Sequence, residues 1–260
     1  MVASPPLSPS AAEFVSRGSF ASLLGWKIWY IDSSSDTAAT ATVSGRAPLV
    51  LLHGFPTSSL DWAKVYPELS SRCRVIALDF LGFGLSEKPR GYAYTISEQA
   101  DLAAALCDEL GLGHAHLLVH DYGCTVAQEL LARTDARGRW LSCCFLNGGL
   151  FPETHRPRLV QQLLLTPLGP CLSALMTKHT FARSLSAVFA PATQPSVEDL
   201  RDFWALVRYR GGSLNAHRLI GYIPQRVENR ERWVGALQKT SVPLGLINGS
   251  LDPVRMYVCI

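Results

Sequence analysis

The chain has 260 residues, 48% of them apolar and 17% charged, with a formal net charge of +3. This composition supplies a sizeable core and argues against disorder. The small charge, with no dense Lys/Arg cluster, argues against a nucleic-acid surface, and no apolar run approaches the ~20 residues that cross a bilayer.

Residues 1 to about 20 carry Pro and Ser and read as a flexible leader. They lack the basic and apolar segments of a signal peptide. A strand is expected at 26–31, Trp26-Lys27-Ile28-Trp29-Tyr30-Ile31, followed by a polar loop or weak hairpin over 33–45. Leu49-Leu52 is a continuous apolar run, as in a strand buried on both faces. It ends in His53-Gly54-Phe55-Pro56-Thr57-Ser58-Ser59, and a helix is expected near Ser59 or Leu60. The next strand, 74–78, is closed by Asp79-Phe80-Leu81-Gly82-Phe83-Gly84-Leu85-Ser86. A helix over 95–110 has Thr95 as N-cap, Glu98 at the capping-box position and Gly111 beyond its end. An apolar strand, 116–119, then runs into His120-Asp121-Tyr122-Gly123 and a helix over 125–133. Another strand, 140–146, ends at Asn147-Gly148-Gly149, with Cys143 and Cys144 pointing to opposite faces.

Strands alternating with helices predict a mostly parallel sheet covered on both faces. The alternation stops near Leu150, and 158–238 is helical throughout. Ser196 caps a helix that places Leu200, Phe203, Trp204 and Val207 on one face, with Gly211-Gly212 ending it. The stretch Arg226-Val227-Glu228-Asn229-Arg230-Glu231-Arg232 interleaves charges and reads as a solvated helix face. A strand returns at 244–247, before Asn248-Gly249-Ser250-Leu251-Asp252-Pro253-Val254. The expected organisation is a leader (1–20), an α/β core (21–150), a helical cap (151–230) and a second part of the core (231–260).

A strand turning sharply into a helix places Asp121 at the carboxyl end of the sheet, where ligands of open α/β sheets bind. The serine form of this elbow reads G-x-S-x-G. A carboxylate can also act as a covalent nucleophile, although an Asp there can equally be a helix N-cap. His114, His116 and His120 mimic a metal signature. On an extended strand, however, His116 and His120 stand about 13 Å apart, too far to share one ion. No metal is expected, and without a G-x-G-x-x-G or Walker loop no nucleotide cofactor. The seven cysteines form no C-x-x-C pair and fit free thiols in a reducing compartment.

Three turns follow apolar strands: His53-Gly54-Phe55-Pro56, His120-Asp121-Tyr122-Gly123 and Leu251-Asp252-Pro253. From about residue 20 to 254 the chain resembles the α/β-hydrolase fold, in particular the aspartate-nucleophile branch of epoxide hydrolases and haloalkane dehalogenases. The resemblance implies that Asp121 attacks an electrophilic carbon. It implies that the N–H groups of Phe55 and Tyr122 form the oxyanion hole, and that Asp252 orients a histidine base. It also implies that a cap tyrosine, Tyr222 or Tyr209, protonates an epoxide oxygen. Tyr222 is favoured by its place before Arg232-Trp233; either tyrosine could equally be an ordinary half-buried aromatic.

Phe55 and Tyr122 stand where dehalogenases hold the halide with Asn or Trp side chains, which argues against halide chemistry. The family's base histidine lies a few dozen residues beyond the acid. Only eight residues follow Asp252 here, none of them His. The resemblance therefore implies a truncated form lacking the last strand and helix. Two functions stand: an epoxide-hydrolase-type enzyme incompetent for turnover, or a non-catalytic relative binding an apolar ligand or a protein. The expected partner is a small apolar substrate, with no nucleic acid and with peripheral membrane association left open. The expected location is cytoplasmic or endoplasmic-reticulum-associated.

Overall fold

A computed structural model describes residues 7–35, 45–133 and 138–249. Its seven-stranded sheet has the order β1-β2-β4-β3-β5-β6-β7. The strands are β1 (Ser19–Leu23), β2 (Trp26–Asp32), β3 (Leu49–Leu52), β4 (Val75–Leu78), β5 (Ala115–His120), β6 (Trp140–Leu146) and β7 (Leu244–Ile247). β1 and β2 are antiparallel to their neighbours; β4, β3, β5, β6 and β7 run parallel. Two of the site turns expected from the sequence, at 53–56 and 120–123, follow the parallel strands β3 and β5. The turn holding Asp252 lies outside the described residues.

The apolar runs explain the layers. Alternate residues of β3 and β4 enter opposite cores. Val50, Leu52, Ile76 and Leu78 join Ala115, Leu117 and Val119 under helices α3 (Ile96–Glu109) and α4 (Tyr122–Ala132). Leu51, Val75 and Ala77 face α1 (Pro9–Ser16) and α2 (Tyr66–Ser70). The helix expected near Ser59 is a 3₁₀ turn, Ser59–Trp62, which leads into α2.

Between β6 and β7 the described residues form seven α-helices: α5 (Leu159–Leu164), α6 (Gly169–Ala174), α7 (Lys178–Ser186), α8 (Val197–Arg208), α9 (Ala216–Leu219), α10 (Tyr222–Glu228) and α11 (Arg230–Lys239). Ser196 caps α8 as expected, its side chain accepting from the Asp199 N–H. The helix ends at Arg208, and the chain turns through positive φ at Arg210 and Gly211. Among the described residues no helix is long and apolar enough to cross a membrane.

Three expectations are corrected. Where a flexible leader was expected, residues 9–16 form α1, started by Ser8 and Pro9. Ser8 also donates from its N–H (3.0 Å) and hydroxyl (2.5 Å) to the buried carboxylate of Asp202 in α8. Thr95 caps α3, but Glu98 does not complete a capping box; it accepts from the Tyr92 hydroxyl and the Trp26 indole. The supposed solvated face of 226–232 carries a fully buried Arg226 and an Arg232 that pairs with buried Glu129.

Candidate active site

Two turns build the site. After β3 the chain folds through Gly54 so closely against the elbow that a Cβ there would lie 2.8 Å from His120 Nδ1 and 3.0 Å from Asp121 Cβ. After β5 it bends at Asp121, which adopts φ 46°, ψ −103°. A non-glycine residue held there stores strain, a feature that clusters at functional sites. The bend is locked from the next residues. Gly123 donates to the carbonyl of His53 (3.0 Å), and a Cβ on Gly123 would sit 2.4 Å from the carbonyl oxygen of Leu52.

Asp121 occupies the N-cap position of α4 but makes no capping bond with its side chain. Its Oδ2 instead accepts the N–H of Phe55 at 2.9 Å. The carboxylate is thus held by one of the two backbone donors expected of an oxyanion hole. Tyr122 follows it directly, with a fully buried side chain. Burial, reinforced by nearby Tyr222, pushes the Tyr122 phenol far above its ordinary range. Tyr222 opens α10 and is 2% exposed. Its ring lies 5.9 Å from that of Phe55 and 5.0 Å from that of Tyr122. The structure therefore brings Asp121, Phe55, Tyr122 and Tyr222 together. Tyr209 stands apart from these rings, beside Lys88 and Arg210, each 5.3 Å from its ring centre.

The histidines have other partners. His53 is wholly buried; its Nε2 accepts from Phe80 N–H (3.1 Å), so Nδ1 is left to donate to Gly54 O (2.8 Å). Burial holds its pKa below the ordinary value, so it stays neutral and braces the turn. His120 Nδ1 lies 3.6 Å from Asp61 Oδ2. His116 meets Ser142, and His217 meets Ser173. Among the described residues no group of three His, Cys, Asp or Glu side chains could hold a metal ion.

Three buried charges were not among the site residues expected from the sequence. Arg226 donates to Thr125 Oγ1 (2.7 Å) and to the main-chain carbonyl of Asp121 (3.4 Å), and lies 4.5 Å from the centre of the Tyr222 ring. Its signal was its four-residue spacing from Tyr222, which puts both on one face of α10. Glu129 of α4 accepts from Arg133, Arg232 and the Trp233 indole. Lys88 donates to the carbonyls of Phe83, Gly84 and Ser86, and burial pushes its ammonium down to about 7. It lines a cavity of about 20 Å³ with Phe55, Phe83, Met176, Val207 and Leu219, between the β3 turn and the helical segment.

A family model described as the alpha/beta hydrolase fold matches residues 47–166. The mesoderm-specific transcript homolog protein of Bos taurus is 48% identical over 97% of this chain and 76% of its own length. The chain belongs to the α/β-hydrolase fold family. Among solved α/β hydrolases, haloalkane dehalogenase DbeA from Bradyrhizobium elkani USDA94 superposes with a TM-score of 0.72. It is 24% identical, over 91% of this chain and 82% of the dehalogenase. The epoxide hydrolase CorEH gives a TM-score of 0.67 at 20% identity, over 89% and 80%. At these identities the two structures share the fold with this α/β hydrolase and say nothing of its substrate.

Proposed function

We propose that this chain is an epoxide-hydrolase-type α/β hydrolase in which Asp121 is the nucleophile. One observation carries the reading: the Phe55 N–H holds Asp121 Oδ2 at 2.9 Å on a strained elbow. With Oδ2 held, Oδ1 attacks an epoxide carbon. The carbon–oxygen bond of the ring breaks, and the departing oxygen takes the Tyr222 hydroxyl proton. Oδ2 becomes the ester carbonyl oxygen, already at a donor suited to negative charge. The N–H of Tyr122 is assigned as the second donor. The aromatic wall of Phe55, Tyr122 and Tyr222 suits a small apolar substrate.

Ester hydrolysis needs a base, because water is a poor nucleophile until it loses a proton. Asp252 is assigned to orient such a base. Incubation with styrene oxide, an acid quench and mass spectrometry of the peptide spanning Asp121 should show an ester that Asp121→Asn abolishes. An adduct that persists in Asp121→Asn would overturn the reading of Asp121 as nucleophile.

A second reading is a non-catalytic relative that binds an apolar ligand or a protein partner. The ring packing favours it, since Tyr222 closes against Phe55 and Tyr122 with centroids 5.9 and 5.0 Å away. Absence of adduct in a folded sample would support it. Six free cysteines among the described residues support a reducing location, in the cytoplasm or associated with the endoplasmic reticulum.

A further inference from the structure

Arg226 is the largest fully buried side chain among the described residues, at 2% exposure. A guanidinium removed from water must be compensated by acceptors or aromatic faces. Its acceptors here belong to the nucleophile elbow. Nε bonds Thr125 Oγ1, in the first turn of α4, and Nη2 reaches the carbonyl of Asp121 itself. Its aromatic neighbour is Tyr222, one turn earlier on α10. Gly149 packs so close that a Cβ there would lie 2.4 Å from Nη1, so the glycine leaves the head group its space. One side chain thus ties the cap tyrosine to the elbow and places a fixed positive charge against its ring.

We propose that Arg226 is the positioning residue for Tyr222, holding the phenol over Asp121 and making it the better proton donor during epoxide opening. The inference rests on the reading of Asp121 as nucleophile and Tyr222 as acid. As the epoxide carbon–oxygen bond breaks and the new oxygen takes the phenolic proton, negative charge passes to the Tyr222 ring. A cation facing that ring favours the charged form. The same cation does little for a reaction whose leaving group departs as an anion without a proton.

That difference supplies the test. The folded chain is incubated with two probes, styrene oxide, which needs a proton, and phenacyl bromide, which releases bromide. Ester at Asp121 is quantified by tandem mass spectrometry, which separates it from alkylation at Cys124. Tyr222→Phe should slow the styrene oxide ester on the order of 100-fold. Arg226→Met should slow it about 10-fold, the loss of one desolvated cation–ring contact. Both should leave phenacyl ester formation within about 3-fold, the spread of context effects on a shared elbow. The double variant should be no slower than Tyr222→Phe alone.

Arg226→Lys keeps the charge but loses the planar fork and should fall between. Thr125→Val removes the Nε acceptor, keeps the charge and should slow only the styrene oxide ester. These two variants decide the matter if Arg226→Met does not fold. Equal slowing with both probes, or slowing that adds to that of Tyr222→Phe, would overturn the proposal by making Arg226 a purely structural brace. Wild-type esters with neither probe would overturn the nucleophile reading and this inference with it.

Discussion

The Phe55 N–H meets Asp121 Oδ2 at 2.9 Å across 66 positions of sequence, and this contact depends on Gly54 having no side chain. Gly54→Ala would place a methyl 2.8 Å from His120 Nδ1 and 3.0 Å from Asp121 Cβ. The β3 turn must then withdraw from the elbow by a few tenths of an ångström, enough to weaken a bond that depends on both distance and angle. The variant should stay folded by circular dichroism but form the styrene oxide ester at least ~10-fold more slowly, since losing an oxyanion donor costs ~100-fold or more. An unchanged rate would show that the Phe55 donor is not needed.

A second prediction concerns pH. Burial alone would raise the Glu129 carboxyl, but hydrogen bonds from Arg232, Arg133 and Trp233 outweigh it and hold it at about 2. Its folded pKa thus lies below its unfolded value near 4.5. The stabilisation is present in full above about 4.5 and is lost as pH falls towards 2. At 1.36 kcal/mol per unit, it amounts to up to about 3 kcal/mol at neutral pH. Urea unfolding should show the wild type losing stability between pH 5 and pH 3 faster than Glu129→Gln, as the linkage relation requires. Parallel profiles for the two proteins would remove Glu129 from the acid response.

What could be read from the sequence follows from how far each signal reaches. The expected strand 140–146 coincides with β6 because it is a sustained apolar run. The elbow at Asp121 was legible because Val119, His120 and Gly123 mark an abrupt change from strand to helix within five residues. The leader helix α1 was not, because the partner that anchors Ser8 is Asp202, 194 residues away. Arg226 was misread because charges interleaved along a helix signal solvent by default. Nothing local shows that Thr125 and the Asp121 carbonyl wait on the opposite surface. Glu98 occupied the right place for a capping box, but Trp26 and Tyr92 compete for its carboxylate.

Asp202 supplies a third prediction. It is 3% exposed and accepts both the N–H and the hydroxyl of Ser8. Asp202→Ala should leave two buried donors without their acceptor and detach α1 from α8, costing roughly 1–3 kcal/mol. Limited proteolysis should then cut within residues 8–18 well before the rest of the chain. Unchanged protection of that segment would mean that Phe14, packed against Trp29 and Tyr66, anchors α1 by itself.

The last prediction concerns β7. It pairs with β6 from Cys143↔Leu244 to Leu146↔Ile247, and among the described residues no strand pairs with its other edge. All four of its residues are exposed, with Leu244 at 41%, Leu246 at 39% and Ile247 at 63%. An apolar edge with unpaired N–H and C=O groups is a template for another strand, and natural sheets blunt such edges with charge. The 260-residue chain should therefore self-associate through this edge as its concentration rises. Static light scattering should show a mass above the 28.4 kDa of the monomer at high micromolar concentration. Leu246→Lys should shift the protein back towards the monomer without lowering its helix content. A stable wild-type monomer under those conditions would mean that the β7 edge is not available for pairing. Association unaffected by the lysine would place the contact elsewhere, for instance on the exposed Leu159 and Leu175 of the helical segment.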